Sequence, residues 1–575
     1  MSLHFAHWEI DLESRELRVR GQLRHLEPRV FDVLAYLIEH RHRVVRLEEL
    51  LRHAWGSAAV SDNVVVRAVM KARRAIDDQG GGAAAIRTLH RVGYRFVATP
   101  GPAGATPAVV PAAAVSRPEG MVALARHALQ REQWRSASQM LQVAVDNNPD
   151  DAETFGAHLM ALASAHDPVA FQRAGDALAH ADRVADHRLA LQAHRALAQA
   201  HMNMSGVGSE VRLHLDAALR LCAPGAEPAS AEQVQLHTIR AHLQTYQGAF
   251  EEARALYARL EPAHVQAGDR GALAKIMNNR GAMDALGGNL LGARQWLERA
   301  LRLAREEQLS ATPVAAGANL AAVNAELGSL GVALEQCDSV AAVLPRLQDP
   351  RLLTDAVVTL CGIYAEASAV DRVDALVALL RGIDTVAMPA LHGPRLMASA
   401  IRCAAAADRA AAITLMHEAL RCVGTQEETH RVEQWLPTLL RAEMMAGRMT
   451  DADVTAARIR RLRSFDRSER LQGILLHADA VNAHGRGDVD ATLRLLELAI
   501  GMLPLGRAAA LARLDAAWLL AERGAITAAW RTLRDMRPWL EEHPLGQCVQ
   551  RRLEAAQAGA ALPPALLLPS LLPAL

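Results

Sequence analysis

Only two of the 63 basic residues are lysines, Lys71 and Lys275, and neither follows a glycine, so a GxxxxGKS/T phosphate loop is excluded. Each lies in a helical apolar pattern without a neighbour suited to lowering its pKa, which argues against Schiff-base chemistry. His180, His187, His194 and His201 recur at intervals of seven. The last three fit one helix, where a seven-residue step spans about 10.5 Å and three rings cannot share one Zn²⁺. No HExxH, GxSxG or CxxC is present. The histidines therefore read as an incidental polar stripe; no enzyme activity, catalytic residue, metal site or cofactor is expected. Cys222, Cys337, Cys361, Cys403, Cys422 and Cys548 lie at least 19 residues apart and read as small apolar side chains of a reducing compartment.

One cationic cluster survives this elimination. In SDNVVVRAVMKARRAI, residues 61–76, Ser61 or Asp62 can cap a helix, and Val65, Val69, Ala72 and Ile76 share one of its faces. Asn63, Arg67, Met70, Lys71 and Arg74 cluster opposite. Asn and Arg side chains match adenine and guanine edges, while Lys and outlying Arg side chains suit phosphates. Taken alone, such a stripe reads first as a solvated helix face. A second arginine group, Arg458 to Arg470, reads as a helix end and loop between repeats.

The elements around the stripe change its meaning. Residues 4–26 alternate in short runs with a turn at Gly21, as in a small antiparallel sheet. Pro28 opens a helix whose apolar face is Val30, Phe31, Leu34, Leu37 and Ile38, and a second helix, RLEELLRHAWG, ends at Gly56. Residues 86–97, IRTLHRVGYRFV, read as a two-stranded ribbon. Phe31, Trp55, Tyr94 and Phe96 are assigned to the core.

This order, with Trp55-Gly56 closing the second helix, VSDNVVVRAVMKARRAI as the third and IRTLHRVGYRF as the wing, resembles the winged helix-turn-helix output domain of the OmpR/PhoB family over about 95 residues. The resemblance implies that the third helix enters the major groove of double-stranded promoter DNA, that the wing reaches the minor groove, and that the 56–60 loop touches RNA polymerase. It carries DNA contacts over to Asn63, Val64, Arg67, Lys71 and Arg74 on the helix and to Arg87, Thr88 and Arg91 in or beside the wing. Arg91 stands where the family has glycine, which alters the local backbone or offers an arginine to the minor groove.

The rest of the chain is built differently. Residues 1–98 hold 7 of the 20 aromatic residues and a net charge of +4, against −4 for the remainder. Residues 99–118, rich in proline and alanine, read as a linker. From 119 to 556, a small residue followed by large and small ones at +4 and +7 recurs: Ala137/Leu141/Ala144, Ala174/Leu178/Ala181, Ala253/Tyr257/Leu260, Ala293/Leu297/Ala300 and Ala333/Cys337/Val340. Weaker anchors at Val211, Val373, Ala412, Ala452, Ala491 and Ala528 keep the spacing between 37 and 42 residues. That period resembles tetratricopeptide repeats of the longer kind and implies about eleven helix pairs, each stable only against its neighbours, around a concave groove.

The expected fold is mainly α: a small α+β winged helix followed by a long α-α solenoid, with an apolar, proline-broken tail at 557–575 packing on the last repeat. No run of 18 apolar residues and no signal-peptide core appear, so the chain is expected in the cytoplasm and off the membrane. The layout resembles soluble bacterial regulators of the HilA kind more than CadC-type regulators, which place a membrane helix after the same head. With no receiver domain before the head, phosphorylation in cis is not expected. The function expected is sequence-specific transcription regulation, with the repeats taking a protein, peptide or small-molecule effector and copies pairing on DNA. The alternative is a scaffold whose winged helix is a docking module.

Overall fold

Pro28, whose missing N–H and fixed φ suit a first helical turn, starts α1, Pro28–Glu39. The computed structural model describes residues 2–5, 8–11, 14–19, 22–24, 26–40, 43, 45, 47–55, 63–76, 85–89, 93–96, 118–148, 151–222, 231–425, 428–560 and 568–571. They fall into two units, Met1–Ala114 and Val115–Leu575.

In the first unit, β1 Ser2–Phe5, β2 Trp8–Asp11, β3 Glu16–Val19 and β4 Gln22–Arg24 form an antiparallel sheet in chain order. After α1 come α2, Leu47–Trp55, and α3, Asn63–Ala75, then a hairpin of β5, Ile86–Leu89, and β6, Gly93–Phe96. Val45, between α1 and α2, exchanges both backbone hydrogen bonds with Tyr94, at 2.8 and 2.9 Å, and so anchors the hairpin. One core joins Ile10 and Leu17 of the sheet, the α1 stripe, Leu50 of α2, Val65, Val69 and Ala72 of α3, and Ile86 and Phe96 of the hairpin. Phe31, Tyr94 and Phe96 are buried as expected. The side chain of Trp55 lies outside the described residues, as do Gly56, Ser61 and Asp62.

The first helix of the second unit starts at Pro118, the last residue of the expected linker, whose other residues, 99–117, lie outside the described ones. Eleven antiparallel helix pairs follow among the described residues, from Pro118–Gln130 with Trp134–Asn147 to Arg507–Glu522 with Ile526–Thr532. The small-large-small anchors are the buried stripes of the second helices: Ala253, Tyr257 and Leu260, or Ala293, Leu297 and Ala300, are almost fully excluded from solvent. Two anchors fall one residue late relative to the sequence. The buried stripes are Thr492, Leu496, Ala499 and Ala529, Leu533, Met536, not those starting at Ala491 and Ala528. Within a pair, the chain turns through positive φ at Gly248 and Gly288, as a tight link between antiparallel helices requires.

The repeats do not contact only their neighbours, contrary to the sequence expectation. Residues about 180 apart, roughly four and a half repeats, bond across the coil. The carboxylate of Glu132, 5% exposed, accepts from Ala311 N at 2.7 Å, Thr312 N at 2.8 Å and Thr312 Oγ1 at 2.6 Å, capping a distant helix. Burial raises its pKa, but Lys275 and the Thr312 hydrogen bonds outweigh this and hold it below the ordinary value. His430 donates from Nδ1 to the Tyr246 carbonyl at 2.9 Å; burial first, then Arg431, pushes its pKa to about 4, so the ring is neutral. Arg351, Glu428 and Arg431 form a chain of buried charges that ends at half-buried Asp355: Arg351 donates to Glu428 at 2.8 Å and to the Met202 carbonyl at 2.6 Å, and Arg431 pairs with Glu428 and donates to Asp355. Unpaired ions at these depths would be too costly, so the pairs fix how successive turns of the coil register.

Of the apolar tail beyond Ala560, residues 568–571 are described, and they pack on helix Arg507–Glu522 of the last pair. Leu568 and Ser570 are buried, and Asp515 accepts from Ser570 N at 2.8 Å and Ser570 Oγ at 2.5 Å. Among the described residues, no helix is long and apolar enough to cross a membrane.

Candidate nucleic-acid interface

Burial of Val65, Val69, Ala72 and Ile76 fixes how α3 is rotated about its axis. Lys71 is exposed, and positions 67 and 74 lie one turn to either side of it on the same helix face. Its Nζ donates to Glu27 Oε1 at 2.5 Å, a pair whose side chains are 54% and 65% exposed. An exposed pair of this kind is worth roughly 0.2–1 kcal/mol, so a phosphate can readily replace Glu27. Lys71, one of the residues expected at phosphate, is thus exposed and held by an exchangeable partner. Asn63, Val64, Arg67 and Arg74 lie on α3, with side chains outside the described residues.

Two arginines that sequence reasoning passed over position this helix. Arg73 Nη2 donates to the Ile86 carbonyl at 2.7 Å, bracing the last turns of α3 against the first hairpin strand. Arg24 Nη1 donates to the Ala75 carbonyl at 3.3 Å, tying the sheet to the end of α3, where a cation also suits the helix dipole. Nothing in an Arg-Arg dipeptide says which member turns inward; only the packing of α3 on the hairpin decides it.

The wing register sets Arg87 opposite Arg95 and Thr88 opposite Tyr94. Tyr94 is buried and Arg95 exposed, as strand alternation requires. Like charges at directly opposed positions repel, and an anionic partner would relieve that cost. The side chains of Arg87 and Thr88 lie outside the described residues, as does the whole of Arg91.

The second unit holds a cavity of about 1490 Å³. Arg195, Lys275, Asn278, Asn319 and Trp435 are among the residues lining it. Asn319 Nδ2 donates to Asn278 Oδ1 at 3.0 Å, and Lys275 Nζ pairs with Glu132 at 3.2 Å. Burial pushes the Arg195 guanidinium down to about 10. Apolar walls with a few fixed amides and cations make a site able to orient a polar ligand.

Residues 21–96 match the family described as "Transcriptional regulatory protein, C terminal". This segment is an OmpR/PhoB-type regulatory domain. Over 86 residues the chain is 35% identical to the transcriptional regulatory protein PrrA of Mycobacterium tuberculosis, a match covering 15% of this chain and 37% of PrrA. The chain therefore spans little more than a third of that relative's length. Among solved structures, the Klebsiella pneumoniae RstA DNA-binding domain in complex with RstA box is 24% identical and covers 17% of this chain and 96% of its own, with a TM-score of 0.16. A Rap protein complexed with Competence and Sporulation Factor covers 77% of this chain and 98% of its own at 10% identity and a TM-score of 0.31. The OmpR/PhoB-type domain thus lies within the first unit, and its helix α3 and hairpin are the elements that carry Lys71, Arg73 and Arg95.

Proposed function

We propose that the chain is a sequence-specific, DNA-binding transcription regulator in which the OmpR/PhoB-type domain reads promoter DNA and the helical repeats serve as a sensor or protein-interaction unit. The observation that carries this reading is the match of residues 21–96 to a transcriptional regulatory family, on the segment whose third helix presents Lys71. In this reading Asn63, Val64 and Arg67 face base edges. Lys71 exchanges Glu27 for a phosphate, Arg74 meets a neighbouring phosphate, and Arg87, Thr88 and Arg91 approach the minor groove. The 56–60 loop contacts RNA polymerase. A protein, peptide or small molecule occupies the cavity of the repeats and alters DNA binding or polymerase recruitment. The protein works in the cytoplasm without catalysis or a cofactor, and two copies can bind in tandem.

The test is the paired variant Arg67→Ala/Arg74→Ala in the full chain, titrated with enriched DNA over a range of salt. Each lost phosphate contact should make the slope of log K against log salt less negative by about 0.9. Unchanged affinity with an unchanged slope would instead favour a scaffold in which the winged helix is a docking module.

A further inference from the structure

The geometry points to a divalent transition-metal site, with Zn²⁺ as the first candidate, formed by His201, Glu210 and His214 in the repeat unit. Donor atoms of these three side chains all lie within 4.8 Å of one another, the one such group of three or more among the described residues. The site rests on a local irregularity. Helix His187–Ala200 continues into a five-residue π-helical turn, His201–Ser205, closed by Gly206 N donating to the His201 carbonyl at 2.9 Å. π-turns of this kind recur at functional sites because they redirect side chains that a regular helix would hold elsewhere. The next helix, Ser209–Leu221, packs back antiparallel and carries Glu210 and His214 four residues apart, on one face.

The details suit a ligand set better than a packing accident. His201 lies parallel to His214, with ring centroids 5.7 Å apart and 13° between planes, and also packs against Phe171, at 4.7 Å and 60°. The Nδ1 atom of His201 is buried without a hydrogen-bond partner among the described residues. His214 Nδ1 lies 2.9 Å from His194 Nδ1, so His194 orients the His214 ring in the way that outer partners orient metal-bound imidazoles.

Two imidazoles and one carboxylate form a borderline donor set that suits Zn²⁺, at bond lengths of about 2.0–2.2 Å. Donors around a tetrahedral ion stand about 3.4 Å apart at those lengths. The donors here lie within 4.8 Å of one another, so they must close by up to about 1.4 Å to reach that separation. Three protein donors leave a position open for water or another ligand.

The site lies off the cavity but shares a segment with it. In the same π-turn, the Met202 carbonyl accepts from Arg351 at 2.6 Å and Asn203 Nδ2 donates to the Ala163 carbonyl at 3.1 Å, and both residues line the cavity. An ion on His201 would fix the backbone that forms one wall of the proposed effector site.

The experiment is calorimetric titration of the chelator-stripped full chain with Zn²⁺, alongside thermal melts. One equivalent should bind and raise the melting temperature. His201→Ala and His214→Ala should each weaken that binding by more than 100-fold, Glu210→Gln by at least tenfold, and His194→Ala by about 10–100-fold, while His187→Ala on the same helix should leave it unchanged. Glu210 is exposed, so its variant should fold like the parent by circular dichroism and keep the test valid if a histidine variant does not. Absence of Zn²⁺ binding at stoichiometric concentration, or a one-equivalent event unaffected by Glu210→Gln and His201→Ala, would overturn the proposal.

Discussion

Replacing Glu428 with glutamine should cost the second unit about 3–5 kcal/mol at neutral pH, although the substitution removes no volume. Glu428 is fully buried and neutralises two guanidiniums, Arg351 and Arg431, that are themselves buried. Without it, Asp355 alone remains to balance two cations, and breaking a buried pair by removing one partner costs about that amount. The protonation equilibrium gives an independent figure. Burial raises the Glu428 pKa, but Arg431 and Arg351 outweigh it and bring the carboxyl from 4.5 to about 2. At 1.36 kcal/mol per pH unit that gap is worth about 3 kcal/mol. Because the folded-state pKa is depressed, this stabilisation is present above about pH 4.5 and is lost as the pH falls toward 2. Urea denaturation followed by circular dichroism at pH 7 and at pH 3 measures both effects. Glu428→Gln should shift the midpoint down at pH 7 and lose much of the parent's sensitivity to acid. A variant within about 1 kcal/mol of the parent at pH 7, and equally acid-sensitive, would refute the view that this charge chain holds the coil in register.

Further outcomes follow from single contacts. Lys71→Ala should flatten the salt dependence of DNA binding by about 0.9, whereas Glu27→Gln, by releasing Lys71, should tighten binding by up to about fivefold; electrophoretic titrations at several salt concentrations read both. Gly328 has φ +88°, and a Cβ there would meet the Trp539 indole, so Gly328→Ala should destabilise by about 2–4 kcal/mol in urea. Ser570→Ala deletes a hydroxyl bonded to the buried Asp515 carboxylate and should lower stability by about 2 kcal/mol in the same assay. Burial ahead of other causes pushes the Cys337 and Cys361 thiols up to about 12, so neither should react with an aromatic disulfide reagent until urea unfolds the chain.

The winged helix was legible because each of its elements carries a local signal: Pro28 at a helix start, the Val65, Val69, Ala72 stripe, and the hairpin alternation that buries Tyr94 beside exposed Arg95. The repeat period was legible for a similar reason, since each pair repeats one packing problem. Its register slipped by one in the last two pairs, where Ala491-Thr492 and Ala528-Ala529 offer two adjacent small residues and only the neighbouring helix selects between them. What sequence could not convey is contact between positions about 180 residues apart. Glu132 looks like an ordinary helix-end glutamate, and nothing local announces that it caps the helix at Thr312. The histidines illustrate both sides. Their spacing argues against a site made by one helix, yet the π-turn and the facing helix bring His201 to Glu210 and His214, and no periodicity rule anticipates that. Arg73 and Arg24 were missed because a bracing arginine and a phosphate-facing one look alike in one dimension.

The central claim is that the OmpR/PhoB-type domain makes this chain a reader of DNA sequence. It is tested most directly by incubating the full chain with fragmented genomic DNA at two salt concentrations and sequencing what is retained. The account predicts one enriched motif, retained more weakly at the higher salt and lost with Arg67→Ala/Arg74→Ala. Retention without any shared motif, or a motif that persists undiminished in that variant, would contradict it.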